Sequence, residues 1–108
     1  MLYKLCFYVP KEMKESVKKA IFKAGAGQIG HYSQCSFDLE GVGQFRPNDK
    51  ANPAIGQVNQ LTTVNEVKVE TFCKSTHIKA ILNALIKAHP YEEPSYHVMP
   101  VMTIQDFF

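Results

Sequence analysis

The sequence is poor in arginine, in metal-type cysteine spacing and in long apolar runs, and each lack removes a class of function. Arg46 is the sole arginine among 12 basic residues, so a surface reading phosphates through bidentate guanidinium contacts is not expected. Cys6, Cys35 and Cys73 stand far apart and form no CxxC or CxxH pair, which argues against a disulfide framework and a zinc knuckle alike. They read as free thiols in a reducing cytoplasm. The formal net charge is only +2, too small to draw the chain to nucleic acid or an anionic membrane. No apolar run approaches the roughly 20 residues of a membrane span. Met1 leads straight into strand-like residues without a basic n-region or an apolar h-region, so no leader peptide is expected.

What is present is ordinary globular material: 108 residues, 45% hydrophobic and 20% charged. That length suits one domain, 1–108, with a core sufficient to fold without staples. Leu2 to Val9 is dense in β-favouring residues and reads as a strand buried on both faces. Pro10 ends it, and from Lys11 to Ala24 the residues Met13, Val17, Ala20, Ile21 and Ala24 recur at helical spacing. Gly25 is the expected terminator. Ile29–Phe37 and Val42–Arg46 are expected as two strands joined by a turn over Asp38–Gly41. Residues 47–63 have no period and form a long loop. Val64–Lys74 alternates cleanly as a strand; Ser75 or Thr76 is expected to cap a second helix carrying Ile78, Ile81, Leu82, Leu85 and Ile86. Pro90 stops that helix, and Ser95–Val101 is the last strand.

The order predicts an α+β fold: a ferredoxin-like βαββαβ sandwich with an extra β-hairpin and a long loop. Both helices then lie on one face of an antiparallel sheet, and the other face needs cover. The chain also ends on Phe107-Phe108. Those rings are expected either to fold back onto the open sheet or to be covered by a neighbouring subunit, so a homo-oligomer is expected.

Two segments stand out for chemistry. Gly25-Ala26-Gly27-Gln28-Ile29-Gly30 follows a helix instead of opening one, so it matches no phosphate-binding turn and reads as a structural bend needing positive φ. His89-Pro90-Tyr91-Glu92-Glu93-Pro94 sets an imidazole and a phenol beside adjacent carboxylates on a proline-stiffened loop. His89 and Glu92 are there the candidate ligands for a divalent metal, or an acid–base pair. The alternative is structural: His89 against a helix C-terminus and the glutamates paired with lysines. His31 and Cys35 are expected on one strand face about 13 Å apart, too far to share one ion within a strand. The lysines Lys11, Lys14, Lys18, Lys19 and Lys23 read as a solvated face, with no aromatic platform for single-stranded nucleic acid.

With those segments in view, the chain resembles the CutA-like, or PII-like, domain inserted in the type-two GTP-cyclohydrolase-I homologue family. The resemblance rests on Gly25–Phe37, Gly41–Pro47, Asn52–Gly56, Val64–Glu70 and Ala88–Pro94 and spans essentially the whole chain. It implies a CutA/PII-like fold and trimeric assembly, since CutA and PII proteins are trimers, and a contact loop for a protein partner at 47–63. In the longer family members the metal ligands belong to a separate two-metal domain, and no residue here matches them. The expectation is therefore a cytoplasmic, trimeric binding or regulatory module, more a binder than an enzyme. Its intersubunit clefts would gather His31, Cys35, His89, Tyr91, Glu92 and Glu93 around a small ligand or divalent metal ion. The alternative is a metal-assisted hydrolase with a His/Glu site at the trimer interface. Neither nucleic acid nor membrane is an expected partner.

Overall fold

A computed structural model describes residues 1–107. The chain runs β1 (Leu2–Pro10), a 3₁₀ turn (Lys11–Met13), α1 (Lys14–Lys23), β2 (Phe37–Phe45), β3 (Thr62–Lys74), α2 (Ile78–Ala88) and β4 (Tyr96–Val101), with a last 3₁₀ turn at Ile104–Asp106. The strands form one antiparallel sheet in the order β2-β3-β1-β4. Both helices cover one face, so the ferredoxin-like sandwich expected from the sequence is the fold. No helix among the described residues is long and apolar enough to cross a membrane.

Period-two alternation decides which residues the helices cover. In β1 the core face is Leu5, Phe7 and Val9, all fully buried; Val67 and Val69 of β3 lie beside them. Val17 and Ile21 of α1 and Ile81 and Leu85 of α2 close the cluster from above, each fully buried. At about 1.5–3 kcal/mol per fully buried aliphatic or aromatic side chain, this single cluster is the main source of stability. The opposite face carries Lys4, Cys6 and Tyr8, whose neighbours are Glu70 and Lys68. Glu70 there bridges Lys4 at 3.3 Å and Lys68 at 3.2 Å, an ion ladder along the two central strands.

Four details correct the sequence reading. The two strands expected between 29 and 46 are one: β2 runs unbroken through Asp38–Gly41, paired to β3 from Phe37↔Glu70 to Phe45↔Thr62. The extra hairpin shrinks to a single antiparallel bridge between Ile29 and Tyr32. Tertiary pairing wins because the glycine segment turns back on itself. Gly27 N–H donates to Phe72 O at 2.8 Å, Cys35 N–H donates to Gly27 O at 2.9 Å, and Gln34 sits at φ 58°. His31 and Cys35 are consequently loop residues and share no strand face. Neither Ser75 nor Thr76 caps α2; His77 holds the N-cap position, with no side-chain cap bond.

The basic face of α1 is also only partly solvated. Lys14 and Lys18 converge on Asp38 Oδ2 at 3.3 and 2.9 Å, and Lys11 reaches Glu40 at 2.6 Å. These pairs strap the first helix to the edge strand β2. Finally, Phe107 is 72% exposed, so it does not fold back onto its own sheet. Phe108, the other half of that expectation, lies outside the described residues.

Candidate functional site

The loop from His89 to Ser95 leaves α2 at a proline-enforced stop, since Pro90 supplies no N–H to continue the helix. Both of its ends are clamped on one residue of β1. Tyr8 N–H donates to Ser95 O at 3.1 Å, and His89 Nε2 lies 2.6 Å from Tyr8 O. The ring's other nitrogen, Nδ1, accepts the Tyr91 N–H at 3.1 Å. That acceptor role fixes the tautomer: the proton sits on Nε2 and is donated to Tyr8 O. His89 is 6% exposed, and burial pulls its pKa below the ordinary histidine value, against the opposing pull of the Tyr8 carbonyl and Glu66.

Tyr91, held by this brace, points its ring at the far end of the β2–β3 ribbon. It stacks edge-on against Phe45 with ring centroids 5.6 Å apart, and its other neighbour is the His89 ring at 5.0 Å. Its hydroxyl donates to Glu66 Oε2 at 2.7 Å. Burial, reinforced by the Glu66 carboxylate, drives the phenol's pKa well above the ordinary tyrosine value. It is a protonated donor at any physiological pH. Glu66 in turn lies over Gly43 of β2, where an added methyl group would overlap the carboxylate. Glycine at that position therefore makes room for the acid.

The 47–61 loop closes the opposite side. Asn59 N–H donates to Pro47 O at 2.6 Å, Asn59 Nδ2 donates to Asp49 Oδ1 at 2.6 Å, and Ala51 N–H donates to Asn48 O at 2.9 Å. One bond stitches the two loops together: Asn52 N–H donates to Glu92 Oε1 at 3.0 Å. Between them lies a cleft of about 510 Å³. Phe45, Tyr91 and Tyr8 supply aromatic surface, Pro53, Ala54 and Ile55 supply aliphatic surface, and Arg46, Glu66, Glu92 and Glu93 supply the charge. Its size falls within the usual range for small-molecule sites.

The cleft brings together three of the six side chains singled out from sequence, Tyr91, Glu92 and Glu93, with His89 as their brace. It does not reach the other two within one chain. Cys35 lies in a separate cavity of about 240 Å³ with Lys4, Phe37 and Glu70. Its carbonyl is anchored by Thr71 Oγ1 at 2.7 Å, and its thiol faces Ser33 O at 3.8 Å. His31 is solvent-exposed on the glycine loop. The residues that sequence reasoning passed over are Glu66, Phe45 and Arg46. The usable signal was Gly41-Val42-Gly43, a strand with side chains missing on one face, which marks a close approach by something else.

A divalent metal on His89 and Glu92 does not fit this arrangement. The one lone pair of the neutral imidazole already accepts the Tyr91 N–H, and a metal ligand needs that pair free. Among the described residues no three His, Cys, Asp or Glu side chains converge closely enough to hold an ion. The same engaged lone pair leaves His89 without general-base capacity in the folded loop.

Comparison with known proteins agrees with the resemblance read from the sequence. The chain is 52% identical over 100 residues, 93% of its length, to a protein named GTP cyclohydrolase 1 type 2 homolog from Bacillus subtilis. It spans 27% of that relative's length, so it corresponds to about one quarter of the longer protein. Among solved structures, a Bacillus cereus protein related to NIF3 superposes with TM-score 0.80 and 38% identity, over 94% of this chain and 26% of that one. CutA from Xylella fastidiosa superposes with TM-score 0.69 over 98% of this chain and 89% of its own, at 16% identity. That likeness shows the fold alone. No protein-family model matches the chain. The chain is thus similar to a CutA-like domain within the type-two GTP-cyclohydrolase-I homologues.

Proposed function

We propose that this chain, acting as one domain over 1–108, is a cytoplasmic, non-catalytic binding module that assembles as a trimer. Its small-molecule site is the cleft between the 47–61 and 89–95 loops. One observation carries the reading: the cleft opens on the sheet face that the helices leave bare, beside an uncovered apolar rank. In that rank Phe37 and Leu39 of β2 are 61% and 48% exposed, and Met99 of β4, at the opposite edge of the same face, is 43% exposed; exposed apolar groups on one face mark a contact surface. A neighbouring copy seated there would cover the rank and wall the cleft. The engaged His89 imidazole supports binding over catalysis. The loop over 47–63, which would rest against a bound ligand, is the segment through which occupancy would reach a protein partner.

Native mass spectrometry together with size-exclusion chromatography tests the proposal. The wild-type chain is expected as a trimer, and Phe37→Asp with Leu39→Asp as a monomer with unchanged circular dichroism. A wild-type monomer at micromolar concentration, or a trimer indifferent to both substitutions, refutes the assembly. Extra mass that a chelator removes refutes the metal-free site.

A further inference from the structure

The charge inside the cleft is opposite to that of the chain. The whole sequence carries a formal net charge of +2, yet the cleft sets Glu66, Glu92 and Glu93 against Arg46 alone. On the β2 edge and at the centre of the open sheet face, by contrast, Asp38, Glu40 and Glu70 each hold a lysine within 3.3 Å. Among the described residues none of the three cleft glutamates has a cation within 4.0 Å, and Arg46 has no carboxylate within that distance. Their hydrogen bonds are few and fixed. Glu66 Oε2 takes the Tyr91 hydroxyl and Glu92 Oε1 takes the Asn52 N–H, which leaves Glu66 Oε1, Glu92 Oε2 and both Glu93 oxygens as acceptors.

The floor beneath these acceptors is aromatic. The rings of Phe45 and Tyr91 meet edge to face, so their faces are turned at different angles around the cleft. An aromatic face attracts a cation through its quadrupole. Carboxylates too dispersed to coordinate one metal ion suit a larger cation that meets them one at a time.

We infer that the cleft formed by Phe45, Tyr91, Glu66, Glu92 and Glu93 binds an organic ammonium ion carried on a flat apolar body. The inference rests on the reading of this cleft as the binding site, and it adds the chemical class of the ligand. The ammonium group sits between Glu66 Oε1 and the Glu93 carboxylate, and the apolar body lies along Phe45, Pro53 and Ile55. Arg46 at the rim disfavours a second positive group and fits a ligand with a carboxylate or hydroxyl at its far end.

The test is an NMR titration of the full ¹⁵N-labelled chain with three probes sharing one body: phenethylammonium, 2-phenylethanol and phenylacetate. Phenethylammonium is expected to bind, with shifts confined to residues 43–47, 51–55 and 91–95. The neutral alcohol should bind about three- to thirtyfold more weakly, and the anion more weakly again. Glu66→Gln and Glu93→Gln should each weaken the cation by at least about threefold, and Arg46→Gln should strengthen it. Because the glutamine carbonyl still accepts the Tyr91 hydroxyl, Glu66→Gln keeps the brace. Equal or tighter binding of the alcohol or the anion overturns the inference, as does the absence of shifts with the cation at about 10 mM. Native mass spectrometry of the same sample separates the two readings. Cation binding by a monomer sinks only the trimer, and a trimer that ignores the cation sinks only the ligand class.

Discussion

Lowering the pH should loosen the cleft, and His89 is the group through which it does so. In the folded chain its Nδ1 accepts the Tyr91 N–H at 3.1 Å, and its Nε2–H donates to Tyr8 O at 2.6 Å. Protonation of Nδ1 would set two N–H groups against each other inside a site that is 6% exposed. The Tyr91 N–H would lose its acceptor, and a buried donor left unsatisfied costs about 1–3 kcal/mol. Burial already holds the His89 pKa below the ordinary value of 6.5. Between that lowered value and 6.5 the unfolded chain binds more protons than the folded one, so stability rises with pH across the window. The contribution is complete above pH 6.5 and is lost as pH falls through the folded pKa, at no more than about 1.4 kcal/mol per pH unit for one proton. The assay is urea unfolding of the wild type and His89→Gln from pH 7.5 to pH 5. Every other ionisable group is common to the two proteins, so the difference between the two curves isolates His89. The wild-type advantage should shrink by about 1–2 kcal/mol over that range, the upper end set by the roughly 1.4 kcal/mol per pH unit available between pH 6.5 and pH 5. Parallel curves would refute the assigned tautomer and the brace with it.

Two further outcomes follow from the fold. Gly27→Ala should destabilise by at least about 2 kcal/mol in urea titration, because the position has φ +77° and a Cβ there would meet Cys35 N and O at 2.8 Å; a change under about 0.5 kcal/mol would mean the loop relaxes freely. Thr76→Ala should leave the unfolding midpoint within about 0.5 kcal/mol of wild type, since the exposed residue caps nothing; a loss near 1 kcal/mol would reinstate the cap read from sequence.

What the sequence by itself determined is what local periodicity and stereochemistry control. The alternation of Val67, Val69 and Thr71, the helical stripe of Ile78 to Leu85 and the stops at Gly25 and Pro90 all reappear, because each depends on residues near in the chain. The β-α-β-β-α-β order leaves few packings, so the fold was legible too. The glycine segment was legible as a bend. Where that bend points was not: it is set by Phe72, which accepts the Gly27 N–H from 45 positions along the chain. That one distant bond turns the expected strand at 29–37 into a loop and separates His31 and Cys35 from the other candidates. The cleft was half legible. Tyr91, Glu92 and Glu93 announced themselves as a cluster, but Glu66 looked like any solvent-facing residue of an alternating strand. Only the antiparallel register, which sets it opposite Gly41 with its carboxylate over Gly43, and the loop after α2, which brings the Tyr91 hydroxyl to it, make it part of a site. His89 shows the same division in one residue. The sequence placed an imidazole at a helix end beside two acids, and tertiary structure supplied the Tyr8 carbonyl that spends it on holding the loop. Spacing along the chain decides which residues are neighbours in an element; pairing across the sheet decides which of them meet.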